Sequence, residues 1–254
     1  MLVGEDRDPA AKRASFFGLN RIKGEVLWEN VVFEEPWWIS IEAVHRDRVF
    51  LHGYSRPDMP DHQRVHVLDL FTGHTLWSRD DARFLFAADD SVFVSRDTAS
   101  GRTIMELALR DGAVTGTREN DASELNAARS RVQRTAEDAP RFPLTLQETF
   151  PAGGQPAYLQ EVVQRGTMAG AMEVLVNDGL CLFSYHEKSD EEGHLRNILN
   201  VVQMDNGRQV LSETLNEDVK GIVPDSFFVQ EGILYFVRER SQLVAVTMAD
   251  LSRT

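Results

Sequence analysis

A chain of 254 residues with 42% hydrophobic and 26% charged residues has the composition of an ordinary globular protein. Its formal net charge of -13 at pH 7 opposes binding to duplex nucleic acid and to anionic membranes, so neither is expected as a partner. No stretch reaches the roughly 20 consecutive apolar residues that a membrane-spanning helix needs. The single cysteine, Cys181, excludes an intrachain disulfide.

The amino-terminal residues, MLVGEDRDPAAKR, lack the apolar core of a secretory signal. Together with a lone thiol this favours a cytoplasmic location, an expectation that a leader removed from the chain would reverse. Residues 1–15 are predicted to be a disordered tail. Cys181 lies in the alternating apolar run GLCLFSY, which indicates a packed core thiol rather than a nucleophile.

The first strand pattern covers residues 16–32 and includes GEVLW, in which Trp28 follows Gly24. The same order of glycine and tryptophan recurs at Gly73 and Trp77 in HVLDLFTGHTLW. A large flat ring at the end of an outer hairpin strand buries much area at a small entropic cost. We therefore expect both tryptophans to pack between neighbouring sheets.

Four further segments share one shape, an acidic turn followed by β-forming residues, which predicts a turn and a half-buried strand. They are RDRVFLHGY from Arg46, DDSVFVSRD from Asp89, NDGLCLFSY from Asn177 and QEGILYFVR from Gln230. A second pattern follows each of them, at residues 65–77, 104–116, 198–215 and 243–251. The first three are hairpins whose Thr-Gly, Asp-Gly or Asn-Gly turns allow positive φ at no steric cost. The fourth stops at the chain end without a second strand.

Repeats of about 40–50 residues with four short strands each predict an all-β fold, namely a β-propeller of about five four-stranded units, with four or six units as alternatives. The predicted units are residues 38–81, 82–119, an irregular third across 120–166, 167–216, and 222–254 completed by 16–32. N-terminal strand pairing with the last unit would close the ring and remove exposed sheet edges. Residues 16–254 would then form a single β-propeller domain.

The irregular third unit contains residues 121–140, where helix formers precede Pro140 and predict a helix or a disordered excursion. FPLTLQETF (142–150) is expected to be a strand. The polar segments SRPDMPDHQ (55–63) and HEKSDEEGH (186–194) are expected to be long connections. Such loops would project from one face, which is the default binding surface.

The pattern LDxxTGxxLW at residues 68–77, with GEVLW as a partial copy, resembles the repeat of pyrroloquinoline-quinone-type propellers and of related non-enzymatic propellers such as outer-membrane assembly lipoproteins. A wider resemblance, best over residues 24–80, is to an uncharacterised family of bacterial proteins of similar length. VLWEN, PWWISIEAV, VFLHGYSRPDMPDH and LDLFTGHTLW carry it, in that order. This family has no assigned activity, so the resemblance implies a fold and no functional residue. One cysteine excludes the vicinal disulfide of the quinone enzymes, no calcium-binding carboxylate motif is visible, and no cofactor is expected.

Seven histidines invite a search for a metal site. His62 and His66 are four apart, but a strand rising about 3.3 Å per residue would separate them by about 13 Å, too far for one zinc ion. His186 and Glu187 begin a zinc-protease motif, but Asp190 replaces its second histidine. SDEEG (189–193) lacks the ligand spacing of a calcium loop. We predict no metal site and no catalytic residue.

The densest unusual cluster is PWWISIEAVHRDRVFLHGY (36–54). Adjacent Trp37 and Trp38 are expected on opposite faces of a strand. In one interpretation they form an aromatic platform with His52 and Tyr54 that contacts a ligand or partner. In the other, the tryptophan rings fill gaps between twisted sheets and the histidines cap strand ends. The candidate ligand or partner contacts are therefore Trp37, His52 and Tyr54.

These patterns favour a non-enzymatic propeller that binds or scaffolds an unknown protein or small ligand. The alternative is an enzyme, a hydrolase or lyase, with a polar site in the central channel. Convergent His, Asp and Glu side chains with shifted pKa values would favour that alternative.

Overall fold

The computed structural model describes the backbone of residues 1–56, 59–99, 101–119, 129 and 139–253, and it describes no side chain at 55–61, 118 or 119. Antiparallel strands dominate these ranges, which confirms the all-β prediction. The chain divides into two compact units, Met1–Glu137 and Asp138–Thr254. No helix within the described ranges is long and apolar enough to span a bilayer.

The first unit contains three antiparallel sheets among its described residues, and each strand pairs with the next along the chain. Its strands are β1 (Leu2–Asp8), β2 (Arg13–Asn20), β3 (Glu25–Val31), β4 (Ile39–His45), β5 (Arg48–Arg56), β6 (Met59–Asp69), β7 (Thr75–Arg79), β8 (Arg83–Ala88), β9 (Ser91–Thr98), β10 (Gly101–Ala108) and β11 (Val114–Glu119). The sheets are β1–β3, β4–β7 and β8–β11. The second and third of them coincide with the predicted segments 38–81 and 82–119.

The second unit contains two antiparallel sheets and three short helices in its described part. Its elements are β12 (Leu144–Thr145), α1 (Leu146–Thr149), α2 (Ala157–Gln164), β13 (Met168–Asn177), β14 (Leu180–Lys188), β15 (Leu195–Gln203), β16 (Gln209–Val219), β17 (Phe227–Gln230), β18 (Ile233–Arg238), β19 (Gln242–Thr247) and α3 (Met248–Arg253). The sheets are β12–β16 and β17–β19.

Residues 1–15 contain strand structure where a disordered tail was predicted. β1 pairs with β2 from Leu2 opposite Leu19 to Asp8 opposite Arg13. Asp8 Oδ1 accepts hydrogen bonds from the amides of Ala10 and Ala11, both at 2.9 Å, which shapes the turn between the strands. The sequence LVGEDRD is largely polar and shows no strand pattern. Pairing with β2 stabilises this strand, and no apolar run of its own is needed.

The predicted pairing between residues 16–32 and the last unit is not found among the described residues. β2 and β3 pair with each other, and β1 supplies the third strand of their sheet. β19 pairs with β18. The unpredicted strand β1 occupies the edge of β2, and β3 is the outer strand of this sheet. Closure of the sheets into a ring is not confirmed.

The region between the two units differs from its prediction where it is described. The helix or excursion predicted for residues 121–140 falls almost wholly outside the described residues. Residues 142–150 form only the two-residue strand β12 and then the helix α1. A capping box explains the change, because Thr145 Oγ1 accepts from the Glu148 amide at 3.3 Å and Glu148 Oε2 accepts from the Thr145 amide at 3.0 Å.

The two polar connections are shorter than predicted. Within residues 55–63, β5 runs to Arg56 and β6 begins at Met59, so the hairpin continues through most of the segment. Within residues 186–194, β14 continues to Lys188, and the connection to β15 is confined to residues 189–194. Extended backbone pairing stabilises strand structure in polar sequence as well as in apolar sequence.

Trp28 and Trp77 make the same contact in successive sheets of the first unit. Trp28 on β3 is 7% exposed, and its Nε1 donates to the carbonyl oxygen of Leu70 in the next sheet at 2.8 Å. Trp77 on β7 is 9% exposed, and its Nε1 donates to the carbonyl oxygen of Leu109 in the following sheet at 3.1 Å. The predicted packing of both rings between neighbouring sheets is confirmed.

The core of the first unit lies in two layers on either side of the sheet β4–β7. One layer joins this sheet to β1–β3 and includes Phe16, Val49 and Leu51. The other joins it to β8–β11 and includes Phe50 and Val65. Because side chains alternate along β5, its odd-numbered and even-numbered residues near position 50 face different layers.

Candidate functional site

The face of β5 that carries Phe50 continues with His52 and Tyr54. Glu42 on β4 and His62 on β6 reach the same place from the two neighbouring strands. One ligand atom from each of Glu42, His52 and His62 lies within 4.8 Å of the others. These three residues are called the Glu–His–His cluster below.

A β-bulge on β4 positions the carboxylate of this cluster. Ile41 pairs with Leu51 and Ala43 pairs with Phe50, so Glu42 is an extra residue without a partner on β5. Bulges of this kind re-aim a side chain and interrupt strand pairing. Glu42 can therefore direct its carboxylate toward the histidine side of the sheet.

A second bulge, on β6, positions His62. The register shifts between the pairs of His52 and Gly53, which leaves Arg64 as the extra residue. Arg64 has a φ of 66°, a value that side chains other than glycine adopt at a cost of about 1 kcal/mol or more. In an uninterrupted strand His62 and Val65 would point to opposite faces. The bulge brings both to the face of His52.

The side chains of the cluster are close together. Glu42 Oε2 lies 2.6 Å from His52 Nδ1 and 2.9 Å from His62 Nδ1. The two imidazole rings are stacked, with centroids 3.6 Å apart and planes inclined by 7°. His52 is 4% exposed, whereas 41% of the His62 side chain is exposed. His52 is therefore held in the interior, and His62 is the more accessible of the two imidazoles.

The buried imidazole of His52 lacks a well-directed hydrogen bond at either ring nitrogen among the described residues. Its Nδ1 is close to Glu42 Oε2, but the carboxylate oxygen lies off the direction of the nitrogen's proton or lone pair. A buried polar atom without a hydrogen bond costs about 1–3 kcal/mol. An ordered water, an ion, stored strain or a catalytic role accounts for such a group in a native fold.

The histidines change the acidity of the carboxylate. The close contact with His52 holds the pKa of Glu42 below its ordinary value, and the His62 imidazole adds to that effect. Burial acts in the opposite direction but is outweighed. Glu42 is consequently an anion at neutral pH, placed between two nitrogen ligands.

A row of aromatic rings adjoins the cluster. Tyr54 makes edge-to-face contacts with His52 and His62, at centroid distances of 5.0 and 5.5 Å. Trp38 contacts Tyr54 at 6.1 Å, and Trp37 contacts Trp38 at 6.5 Å. Trp37, Trp38, Tyr54 and His52 are called the aromatic row below. The structure thus places the three predicted contacts, Trp37, His52 and Tyr54, in one continuous set of rings.

Trp37 and Trp38 do not occupy opposite faces of a strand as predicted. Both precede β4, and Glu35 Oε1 accepts hydrogen bonds from their amides at 3.1 and 3.0 Å. This turn lets the two rings meet edge to face. The Arg7 guanidinium lies 5.1 Å from the centre of the Trp37 ring and donates to the Trp37 carbonyl oxygen at 2.9 Å. Arg7 therefore holds the far end of the aromatic row.

The sequence prediction of no metal site did not consider His52 and His62 as a pair, although the structure brings them together. It tested His62 with His66, and these residues face opposite sides of β6 because His62 pairs with Tyr54 and His66 pairs with Leu51. The partner of His62 is His52, across the hairpin. The histidines in VFLHGYSRPDMPDH were visible in the sequence, but the bulge that aligns them was not.

Two other features of the second unit were considered as sites, a group of possible metal ligands and the thiol of Cys181. Glu191, His194 and Asp218 also lie close enough for a shared ion, but side-chain exposure is 71% for Glu191 and 58% for Asp218. Acidic groups with that exposure are satisfied by water. Cys181 is fully buried, and burial raises the pKa of its thiol, so the predicted core role is confirmed.

Comparison with known proteins identifies a matching family over part of the chain. The family, described as Domain of unknown function (DUF4905), matches residues 1–77, the region that holds the Glu–His–His cluster. A search of curated proteins found no match.

The solved structures that match this chain do so with low sequence identity and low TM-scores. Kluyveromyces lactis Hsv2 has 10% identity and a TM-score of 0.25, over 95% of this chain and 71% of that one. Kluyvelomyces marxianus Hsv2 has 11% identity and a TM-score of 0.26, over 91% and 74%. An exo-1,5-alpha-L-arabinanase from a bovine ruminal metagenomic library has 11% identity and a TM-score of 0.19, over 95% and 90%.

Proposed function

We propose that this protein is a non-enzymatic, β-propeller-type module that binds a ligand on the face of β4, β5 and β6. The ligand contacts Trp37, His52 and Tyr54 of the aromatic row. The observation that carries the proposal is the buried His52, whose ring nitrogens lack well-directed hydrogen bonds at the inner end of that row. A ligand group that reaches His52 would satisfy them.

The propeller part of the proposal is supported by the repeated tryptophan contact. Trp28 and Trp77 each donate from an outer strand to a carbonyl oxygen in the next sheet of the first unit. Repetition of one contact between successive antiparallel sheets is expected when sheets are arranged as blades. In this proposed arrangement, each of the five sheets in the described residues is one blade.

The chemistry of the face defines the ligand that would fit. Trp37, Trp38 and Tyr54 are each partly exposed, and flat rings of this kind bind an apolar or planar part of a ligand. Glu42 and the two histidines at the inner end would bind a cationic or hydrogen-bonding part. Partner proteins and small ligands both satisfy this description, whereas the net charge of -13 disfavours nucleic acid.

Native mass spectrometry of untagged protein purified from its own host tests the proposal. We expect a bound mass on the wild type that is absent from the Trp38→Ala and Tyr54→Ser variants. Phe71→Ala is the matched control, because Phe71 is 59% exposed on a turn of the same unit and lies outside the aromatic row. Circular dichroism verifies that each variant is folded. A wild type without any bound mass, or a mass that all variants retain, would contradict the proposal.

One observation favours the enzymatic alternative as a second candidate. An ionised Glu42 next to the His52 imidazole is a pair that acid–base catalysis uses. A hydrolase or lyase would convert the bound compound to a product of different mass, whereas the Glu42→Gln variant would retain the compound unchanged. A second native mass spectrum of the same preparations, recorded after incubation, distinguishes binding from turnover.

A further inference from the structure

We propose that Glu42, His52 and His62 bind one divalent transition-metal ion of the Zn²⁺ class. This inference deepens the proposed function by naming a ligand for the inner end of the aromatic row, and it rests on that proposal only for the location of the site.

The ligand atoms determine the class of ion. Two imidazole nitrogens and one carboxylate oxygen suit Zn²⁺ and neighbouring transition metals such as Co²⁺ and Ni²⁺. Ca²⁺ and Mg²⁺ prefer oxygen ligands throughout, and only Glu42 offers oxygen in the cluster. Three protein ligands leave a fourth position for water or for another ligand, as in open zinc sites.

The distances between the ligand atoms are compatible with such an ion. Glu42 Oε2 is 2.6 Å from His52 Nδ1 and 2.9 Å from His62 Nδ1. Metal–ligand bonds of about 2.0–2.1 Å in tetrahedral geometry require ligand atoms roughly 3.3 Å apart. Each contact therefore has to widen by less than about 1 Å, well within the reach of side-chain rotation.

The stacked rings identify the residue that moves. An ion bound to an imidazole nitrogen lies near the plane of that ring, and the planes of His52 and His62 are almost parallel. One ring must therefore turn before both nitrogens can bind the same ion. His52 is 4% exposed and held in the interior, whereas 41% of the His62 side chain is exposed. His62 is the ligand that turns to enclose the ion.

The condition of His52 is the independent observation that points to an ion. Its ring nitrogens are buried without a well-directed hydrogen bond among the described residues. Its Nδ1 lies 2.6 Å from Glu42 Oε2 and its face stacks on the imidazole of His62, so its nearest polar neighbours are themselves potential metal ligands. A bound ion would satisfy Nδ1 directly and would neutralise Glu42, which is an anion in the folded protein.

Isothermal titration calorimetry with ZnCl₂ tests the site in untagged, full-length protein that has been treated with EDTA and dialysed. We expect one Zn²⁺ per chain in the wild type. His62→Asn and Glu42→Gln should weaken Zn²⁺ affinity at least about tenfold, since even partners behind the metal ligands are worth that much. His62 and Glu42 are only partly buried, so both variants should remain folded, as circular dichroism will verify.

Two histidine variants serve as matched controls. His66→Asn changes the same strand on the opposite face, and His194→Asn disables the exposed group in the second unit. Both should bind Zn²⁺ as the wild type does. Co²⁺ gives a second readout, because a paramagnetic ion at the cluster quenches Trp38, which is separated from His52 only by Tyr54. Saturable quenching is expected in wild type and reduced quenching in Trp38→Phe and His62→Asn.

The outcomes separate this inference from the proposed function. Folded wild type that binds no Zn²⁺ with a Kd below about 100 μM overturns the metal site, since weaker binding is worth less than about 5.5 kcal/mol. Binding that survives both His62→Asn and Glu42→Gln, or that His194→Asn removes, also overturns it. A bound organic mass that depends on Trp38 would leave the proposed function standing in either case.

Discussion

A Cβ atom placed on Gly73 would lie 2.6 Å from Cδ2 of Trp28, so the indole of one sheet rests directly on a turn of the next. Gly112 and Trp77 repeat this relationship in the following sheet, where the corresponding distance to Cε3 is 2.7 Å. Glycine is required at these turns for two reasons, a positive φ and the absence of a side chain beneath an indole.

Gly73→Ala should destabilise the protein more than the same change at Gly24. Both glycines have a positive φ near 70°, but a Cβ on Gly24 meets no atom within 4 Å. We expect the free energy of unfolding to fall by about 2–3 kcal/mol for Gly73→Ala and by about 1 kcal/mol for Gly24→Ala, because only the first adds a steric clash to backbone strain. Urea unfolding measures both; equal losses would show that the Trp28 contact is not tight.

Trp28→Ala should cost more stability than Trp37→Ala. Trp28 is 7% exposed and hydrogen-bonded to Leu70, so its removal should lower the free energy of unfolding by about 3–5 kcal/mol. Trp37 is partly exposed, and its loss should cost about 2 kcal/mol or less. Thermal and urea unfolding check the difference. A cost for Trp37→Ala equal to that for Trp28→Ala would favour gap filling over ligand contact.

Deletion of Arg64 should leave a folded protein that still binds Zn²⁺. Arg64 is the extra residue of the bulge, so its deletion places His62 and Val65 two positions apart on a regular strand, and both keep the face of His52. Arg64→Gly should bind as well, because glycine keeps the bulge and suits its φ of 66°. Deletion of Gln63 together with Arg64 places His62 directly before Val65, on the opposite face of β6, and should remove binding. Calorimetry with ZnCl₂ measures all three variants; retained binding in the double deletion would mean that alternation along β6 does not orient His62.

Stability should fall in mild acid in part through His186. This residue is 3% exposed, its Nε2 accepts from the Val223 amide at 3.1 Å, and burial lowers its pKa although Glu173 acts the other way. A lowered pKa means that the unfolded chain binds the proton more readily, so this contribution is complete above the unfolded pKa of about 6.5 and is lost as pH falls through it toward the folded value. His186→Gln should flatten the decline in urea midpoint across that range; an unchanged decline would exclude His186 as a cause.

The thiol of Cys181 should be unreactive in the native protein. It is 0% exposed, and burial raises its pKa, so the reactive thiolate is disfavoured. We expect no reaction with a thiol reagent such as DTNB at neutral pH until urea unfolds the second unit. Rapid modification of the folded protein would contradict the core position.

Part of the candidate site was predictable and part was not. The composition and order of PWWISIEAVHRDRVFLHGY indicated an unusual aromatic and histidine cluster, and Trp37, His52 and Tyr54 do lie in one row of rings. Glu42 and His62 were missed because each reaches the cluster through a β-bulge. Bulges depend on the pairing of whole strands, and no local pattern marks them.

The local sequence determined the strands, the hairpin turns and the role of the two tryptophans, since alternation, glycine positions and ring size act over a few residues. The tertiary structure alone decided the strand partners and the register. β1 joined a sheet although its sequence is polar, and in the described part of the chain the N-terminal hairpin pairs with β1. A shift of one residue turns every following side chain to the other face of a strand. Whether Glu42, His52 and His62 meet is therefore a consequence of two extra residues, Glu42 itself and Arg64, whose effect appears only when three strands are paired.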